Sequence, residues 1–339
     1  MNNALNIIAA LQSGRTLSMN EACDLQSSIL KGEVPTQSLL EIFTALYGRA
    51  VTVEELGGFF KASQEAMTSL NAETPALDTC GTGGDNSGSF NISTVSALVC
   101  SATGVPVAKH GNRAASSQCG SADVLETLGV KLDLNPQQAK AVLEKTGFVF
   151  LFARNFHPAF KHAAEARKTF GKRTYFNLLG PLLNPAKALY RVHGLADFSF
   201  AEILGSILAD SGVKRMWLVH AEDGLDEISP SSVTHVIERQ GEKVRTFTIN
   251  PKEFGLFIEN RDGLKGGDAK TNADILTSIL QGKGTKAQNA AVILNVAAGL
   301  TVYGKTADYK EGVALATDVI ASGKGYEKLQ GVIRISNSV

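Results

Sequence analysis

The first 70 residues place their hydrophobic positions at helical spacing only. Leu39, Leu40, Ile42, Phe43 and Leu46 make one apolar face. Ser18-x-x-Glu21 and Thr52-x-x-Glu55 have capping-box spacing, in which hydroxyl and carboxylate satisfy each other's orphan backbone donors. Gly32 and Gly48 read as helix stops. The pattern predicts about four short helices and no strand.

Near Pro75 the pattern changes. Short apolar runs now alternate with helical segments: Ala76–Thr79, Val105–Lys109, Phe148–Ala153, Arg191–Leu195 and Met216–His220. Each run leads into a glycine-rich or polar loop and then a helix, which predicts an α/β domain with a mainly parallel central sheet. Thr234–Glu238 and Val244–Ile249, separated by Gln240-Gly241-Glu242, predict an antiparallel hairpin at one edge. From about Asp268 the chain is helical again. One stretch breaks the alternation. His157–Lys168 reads as a helix with Pro158 in its first turn, and Phe176–Pro185 reads as an apolar, loop-rich segment with two prolines. The chain is expected to leave the sheet there and pack on the N-terminal helices.

Composition narrows the function. At 339 residues and 44% apolar, the chain can bury a sizeable core, and 33 glycines allow many tight loops. Lys plus Arg equals Asp plus Glu at 33 each, which argues against nucleic acid or an anionic membrane as partner, since both need a basic footprint. Cys23, Cys80, Cys100 and Cys119 form no Cys-x-x-Cys pair and have no histidine at zinc spacing, which suits a reducing compartment. The start, MNNALNIIAALQSG, lacks a signal-peptide pattern, and no run of about 18 apolar residues occurs; a cytoplasmic protein is expected.

Four motifs carry candidate chemistry. Asp78-Thr79-Cys80-Gly81-Thr82-Gly83-Gly84-Asp85 follows a strand and leads through Ser89, Asn91, Ile92, Ser93 and Thr94 into a helix. Glycines let the backbone approach a ligand closely, and a loop feeding a helix N-terminus offers N–H groups to an anion. No Gly-Lys-Ser/Thr follows, so this is not a Walker loop, and the last position of a dinucleotide fingerprint is Asn86. The second motif is Lys109, His110, Gly111, Asn112, Arg113, Ala114, Ala115, Ser116 and Ser117, ending at Gly120-Ser121. Its cations, amide and hydroxyls suit a phosphate or diphosphate through charge-assisted hydrogen bonds. His110 alone is more often a structural histidine than a catalytic one. In the third, Asp226 and Glu227 at the end of a strand suit Mg2+; taken alone they read slightly more readily as a solvated acidic loop, a reading that weakens beside a diphosphate site. The fourth is Arg167, followed by Lys168, Lys172 and Arg173. These either grip a carboxylate or complement a helix C-terminus.

Six segments in order resemble the anthranilate phosphoribosyltransferase family, over nearly the whole chain: DTCGTGGD at 78–85, FNIST at 90–94, KHGNRAASS at 109–117, GSADVLETLG at 120–129, NLLGPLLNPA at 177–186 and EDGLDEIS at 222–229. The resemblance implies a glycosyltransferase acting on a pentosyl group. A small helical domain (1–70 and about 165–185) would face a large α/β domain (71–164 and about 186–339) across the active-site cleft. It implies 5-phosphoribosyl 1-diphosphate (PRPP) bound by Gly81, Gly84, Asp85, Ser89, Asn91, Ile92, Ser93, Thr94, Lys109 to Ser117, and Ser121. Anthranilate would lie at Gly81, Asn112 and Arg167, and Mg2+, with two ions per site, at Ser93, Asp226 and Glu227. A homodimer is implied, with no covalent nucleophile and no obvious base. Arg154 and Asn155 stand where the family more often has smaller or apolar residues, so they bear on the acceptor's path. Two other readings remain: a pyrimidine nucleoside phosphorylase of the same wider group, and a non-catalytic relative binding nucleic acid or another polyanion.

Overall fold

The computed structural model describes residues 2–47, 49–114 and 118–339. Gly48, read above as a helix stop, and Ala115, Ser116 and Ser117 of the cationic loop lie outside the described residues.

Four helices open the chain: α1 (Asn2–Gln12), α2 (Met19–Leu30), α3 (Thr36–Tyr47) and α4 (Val53–Glu65). Both predicted capping boxes form, at Ser18 before α2 and Thr52 before α4. Then follow β1 (Leu77–Asp78), α5 (Ile92–Ala102), β2 (Val107–Gly111), α6 (Ser121–Thr127), α7 (Pro136–Thr146), β3 (Phe148–Phe152) and α8 (Ala153–Phe156). After a 3-10 turn come α9 (Ala164–Phe170), α10 (Tyr175–Leu182), β4 (Tyr190–Gly194), α11 (Ala201–Asp210), β5 (Arg215–Ala221), β6 (Thr234–Gln240) and β7 (Lys243–Ile249). The chain ends with α12 (Ala269–Leu280), α13 (Lys286–Tyr303), α14 (Tyr309–Ala321) and α15 (Lys324–Ser336).

The sheet order is β3-β2-β1-β4-β5-β6-β7. β1 to β5 pair in parallel, and β6 and β7 close one edge as the antiparallel hairpin that the sequence predicts, with Gly241 in its turn at φ +57°. The chain runs outward from β1 to β3, then returns to place β4 on the other side of β1. That reversal opens a crevice beyond the C-terminal ends of β1 and β4, where α/β sheets usually hold ligands.

Side chains alternate across the sheet. Phe148, Phe150 and Phe152 join the main core with α5, α12 and α13, whereas Val149 and Leu151 pack on α7. Met216 and Leu218 of β5 face neither core. They share one hydrophobic cluster with α11, the N-terminal helices and Ala163 to Leu183. The segment that breaks the alternation therefore packs on the N-terminal helices.

Two local expectations need correction. His157–Lys168 is not one helix. Pro158–Ala163 is a 3-10 turn, and the α-helix starts at Ala164. His157 is held at φ −124° and ψ 55°, which does not continue a helix, and Pro158 offers no N–H to the following ladder. Phe176–Pro185 is not loop-rich at its start, because α10 runs to Leu182 with Pro181 in its last turn. The prolines mark that helix's end. Among the described residues, no helix is long and apolar enough to cross a membrane.

Candidate active site

Asp78, at the end of β1, is buried and works within the fold. It accepts from the His110 N–H at 3.2 Å and from Asn184 Nδ2 at 2.8 Å. Burial pushes its carboxyl up, and Arg191 and Lys109 oppose the rise. Arg191 in turn donates to the carbonyls of Pro181 and Leu182 at the end of α10, a cation at a helix C-terminus. The NLLGPLLNPA segment is thus tied to the sheet behind the cleft.

Beyond Asp78 the loop turns sharply, with Gly83 at φ +60° and Gly84 at φ +77°. Gly81 lies so close to the acidic loop that a Cβ there would stand 2.9 Å from Asp226 Oδ2. The Gly83 N–H donates to that oxygen at 2.8 Å. Asn91 precedes α5 without capping it through its side chain. Its amide instead donates to Cys119 O at 3.1 Å and accepts from Asn272 Nδ2 at 2.9 Å. The first turn of α5 points its Ser93 N–H at Glu227 Oε1, 3.1 Å away. Lys109, buried in the middle of β2, reaches Thr79 O at 3.0 Å and Ser93 Oγ at 3.3 Å.

The loop after β5 sorts its acids. Asp223 accepts from Ser229 Oγ at 2.8 Å and Ser231 Oγ at 2.6 Å, so it shapes the loop. Asp226 and Glu227 face the cleft. Burial by the surrounding protein raises both carboxyls; repulsion from Asp85 adds to the rise at Asp226, and repulsion from Asp226 and then Asp85 adds to it at Glu227. Each keeps some surface open to the cleft, so water softens the shift. Asp85 Oδ2 and Thr94 Oγ1 are buried without a protein partner.

This acidic end of the cleft is short of positive charge. Among the described residues, no three or more ligand side chains converge into a ready-made metal cage. Mg2+ does not require one, since it usually takes one or two carboxylates and completes its shell with water and phosphate oxygens. The donor set, two raised carboxyls with Asp85 beside them, fits that ion.

The cleft has a volume of about 930 Å³. Gly81, Gly84, Asp85, Ser89, Asn91, Ile92 and Ser93 line one wall, with Asp226 and Glu227 at the end. Arg113 and Ala114 also reach it. Arg167, Lys168, Lys172 and Arg173 supply the facing wall from the helical side. Thr94 and Lys109 are buried beside it. His110, Gly111, Asn112 and Ser121 stand off its lining.

Three of the predicted residues behave differently from a phosphate ligand. Arg113 is engaged by Asp123 at 2.9 Å and by Glu126 at 2.8 Å, so its charge is already matched. The His110 ring is buried against His157, with Nε2 atoms 3.2 Å apart. Burial and the neighbouring His157, Arg191 and Lys109 hold it well below the usual histidine range, which leaves it neutral. Ser121 Oγ donates to Asn112 O at 3.4 Å. Asn155 is also accounted for: its amide donates to Leu132 O and Asp133 Oδ1, both at 3.2 Å, so it braces a loop.

Arg167 is half-buried in the last turn of α9. Its guanidinium lies 5.2 Å from the centre of the Phe176 ring, and among the described residues no carboxylate pairs with it. Burial lowers its pKa, the mark of a cation without a counter-ion. Such a group facing a cleft suits an anionic ligand.

Sequence reading missed three participants. Gly194, the last residue of β4, has no room for a side chain, because a Cβ would overlap the Asp226 backbone carbonyl. Asn272 and the Gly266-Gly267 pair line the far end, and the Gly267 N–H bonds to Asn272 Oδ1 at 2.8 Å. Only the glycine pair carried a local signal. Arg173 was visible as one of several cations, but not its target: Nη1 donates to Gly83 O at 2.9 Å and Nη2 to Thr82 O at 3.3 Å. A smaller cavity of about 370 Å³ lies behind this contact, lined by Phe43, Tyr47, Tyr175 and Phe200. It is mainly apolar and lacks the acidic pair, so the larger cleft is the candidate site.

Comparison with known proteins agrees with this geometry. Residues 73–326 match the family described as "Glycosyl transferase family, a/b domain". An anthranilate phosphoribosyltransferase of Bradyrhizobium sp. is 41% identical over 338 residues, covering 100% of both chains. One from Methylobacterium radiotolerans is 43% identical over 330 residues, covering 97% of this chain and 95% of its own. Among solved structures, the anthranilate phosphoribosyltransferase of Thermus thermophilus superposes with a TM-score of 0.91 at 40% identity, covering 97% of this chain and 99% of its own. The Saccharomyces cerevisiae enzyme, in complex with PRPP and Mg, gives a TM-score of 0.90 at 27% identity, covering 99% and 98%.

Proposed function

The chain belongs to the anthranilate phosphoribosyltransferase family, and from that premise we propose how its cleft works. The enzyme transfers the phosphoribosyl group of PRPP to the amine of anthranilate, giving N-(5-phosphoribosyl)anthranilate and diphosphate, a step of tryptophan biosynthesis. The observation that carries the site assignment is the convergence at one end of the cleft. The Gly83 N–H, the α5 N-terminus and the Asp226–Glu227 pair meet there, opposite an unpaired Arg167.

PRPP lies along the wall from Gly81 to Ser93, its diphosphate on the glycine loop and α5, where backbone N–H groups and the helix dipole favour negative charge. Lys109 and Thr94 support that wall from behind, and Arg113 and Ala114 reach it from the second loop. Asp226, Glu227 and Ser93 hold Mg2+. Mg2+ held there, two ions in our reading, would supply charge neutralisation at the diphosphate. Anthranilate meets Gly81 and Arg167, with its carboxylate on the guanidinium.

The amine nitrogen attacks C1 of the ribose. The N–C1 bond forms as the C1–O bond to diphosphate breaks, and the amine proton passes to solvent. An aromatic amine is neutral and nucleophilic at pH 7, so a strong base is not required. The protein's part is to align the two substrates and to stabilise charge where the diphosphate leaves. Neutral His110 and His157 wall the region behind Lys109 without adding charge.

The helical domain (1–70 and about 165–185) and the α/β domain (71–164 and about 186–339) form the two sides, and we read the assembly as a homodimer. The four cysteines, two of them buried, form no disulfide among the described residues, which suits a reducing cytoplasm. The test mixes protein, anthranilate, PRPP and Mg2+ and follows anthranilate fluorescence. Loss that depends on all three additions supports the reading. No loss, with phosphorolysis of thymidine in a parallel assay, replaces it with a nucleoside phosphorylase.

A further inference from the structure

We propose that Arg173 is a positioning residue that holds the glycine loop in its diphosphate-binding form. This deepens the reading above and rests on the loop's role in holding PRPP.

Arg173 sits in the short connection between α9 and α10. Gly171 ends α9 at φ +67°, and the Thr174 N–H donates to Asn177 Oδ1 at 2.9 Å as α10 begins, so the backbone on both sides of Arg173 is fixed. Its side chain crosses the cleft mouth to a loop 90 residues earlier in the chain. Both guanidinium nitrogens bind backbone carbonyls, Gly83 O at 2.9 Å and Thr82 O at 3.3 Å. Among the described residues, no backbone N–H bonds to either carbonyl. Arg173 is their protein partner.

A trans peptide points its C=O and N–H to opposite sides. Drawing the Thr82 carbonyl toward Arg173 turns the Gly83 N–H the other way, and it meets Asp226 Oδ2 at 2.8 Å. The same grip on the Gly83 carbonyl turns the Gly84 N–H away from the guanidinium. That donor has no backbone acceptor among the described residues. One side chain thereby aims two successive N–H groups, one toward the acidic loop and one open to an oxyanion. The cation also polarises both peptides in the sense that strengthens their N–H dipoles. Gly84 makes the grip possible. It sits at φ +77°, and a Cβ there would overlap the guanidinium.

The experiment uses the full chain. Arg173→Ala removes the grip, and Arg173→Met removes it while keeping the stem. Each is assayed for KM of both substrates and for Kd of inorganic diphosphate with Mg2+, read by calorimetry. Loss of the charged hydrogen bonds is expected to raise KM for PRPP and Kd for diphosphate about tenfold, with the anthranilate KM near wild type. Gly84→Ala is measured in wild type and in Arg173→Met. Its strained φ costs the same in both, so a smaller added loss in the Met background reports the overlap alone. Unchanged diphosphate affinity, equal rises in both KM values, or additive losses overturn the proposal. If wild type makes no phosphoribosylanthranilate, the functional reading fails, and the diphosphate titration still decides the role of Arg173.

Discussion

Arg167→Ala tests the acceptor side of the cleft most directly. The guanidinium is half-buried, has no carboxylate partner among the described residues, and stacks on Phe176 at 5.2 Å. If it grips the anthranilate carboxylate bidentately, its removal strips two charge-assisted hydrogen bonds. Charged hydrogen bonds contribute about 1.5–3 kcal/mol; a net loss of about 2–3 kcal/mol lowers kcat/KM for anthranilate roughly 30- to 150-fold. Stability moves little. The variant loses a cation–π contact of about 0.5–1 kcal/mol but is freed of a half-buried unpaired charge, so Tm is expected within about 4 °C of wild type. Arg167→Lys keeps the charge without the planar fork and should fall between the two. Steady-state kinetics with each substrate varied in turn decide it. A loss confined to anthranilate supports the assignment. An equal rise in KM for PRPP, or no change in either, refutes it.

Asp226→Asn and Glu227→Gln should each raise the Mg2+ concentration needed for half-maximal activity; full activity at limiting Mg2+ would remove them from the metal site. Gly194→Ala forces a methyl into the Asp226 carbonyl and should lower both activity and the urea midpoint by about 1–3 kcal/mol, with an unchanged midpoint contradicting the close approach. His193 is buried and burial lowers its pKa to about 3, below the roughly 6.5 of an unfolded histidine, so acidification protonates the unfolded chain first and stability falls as pH drops below about 6.5. Between pH 7 and 5.5 wild type should lose about 1 kcal/mol more than His193→Gln in urea titrations, a difference in which other titrating groups cancel; equal losses would mean that His193 titrates freely.

Elements with a local cause were legible from the chain. The capping boxes, the five parallel strands and the hairpin follow from spacing and turn residues. What was not legible depends on partners far away in sequence. Arg113 looked like a phosphate cation until Asp123 and Glu126 were seen to claim it. Asp223 and Asp226 are three residues apart and chemically alike, yet serines at 229 and 231 hold one inside the loop while the other faces the cleft. Gly194 is an ordinary strand-end glycine in sequence, and its meaning comes from β4 lying beside β1 with Asp226 across the gap. The break at Pro158 was foreseeable as a helix start, but the α-helix begins at Ala164 rather than His157, because a 3-10 turn intervenes.

The cluster joining the N-terminal helices to Met216 and Leu218 of β5 bears on how the chain comes apart. Leu204 and Leu208 of α11 belong to it as well, so the seam drawn near residue 70 runs through a shared oil-filled joint rather than along a wet boundary. Cooperativity should follow the joint: the helices and the sheet face beneath them protect one another from solvent and melt as one calorimetric unit. Cutting the chain at that seam would bare Met216, Leu218, Leu204 and Leu208 together, a contiguous sticky patch. Any opening of the cleft must therefore be a tilt about this joint, with its contacts kept, and the range of that motion is set by how far those side chains slide before water enters.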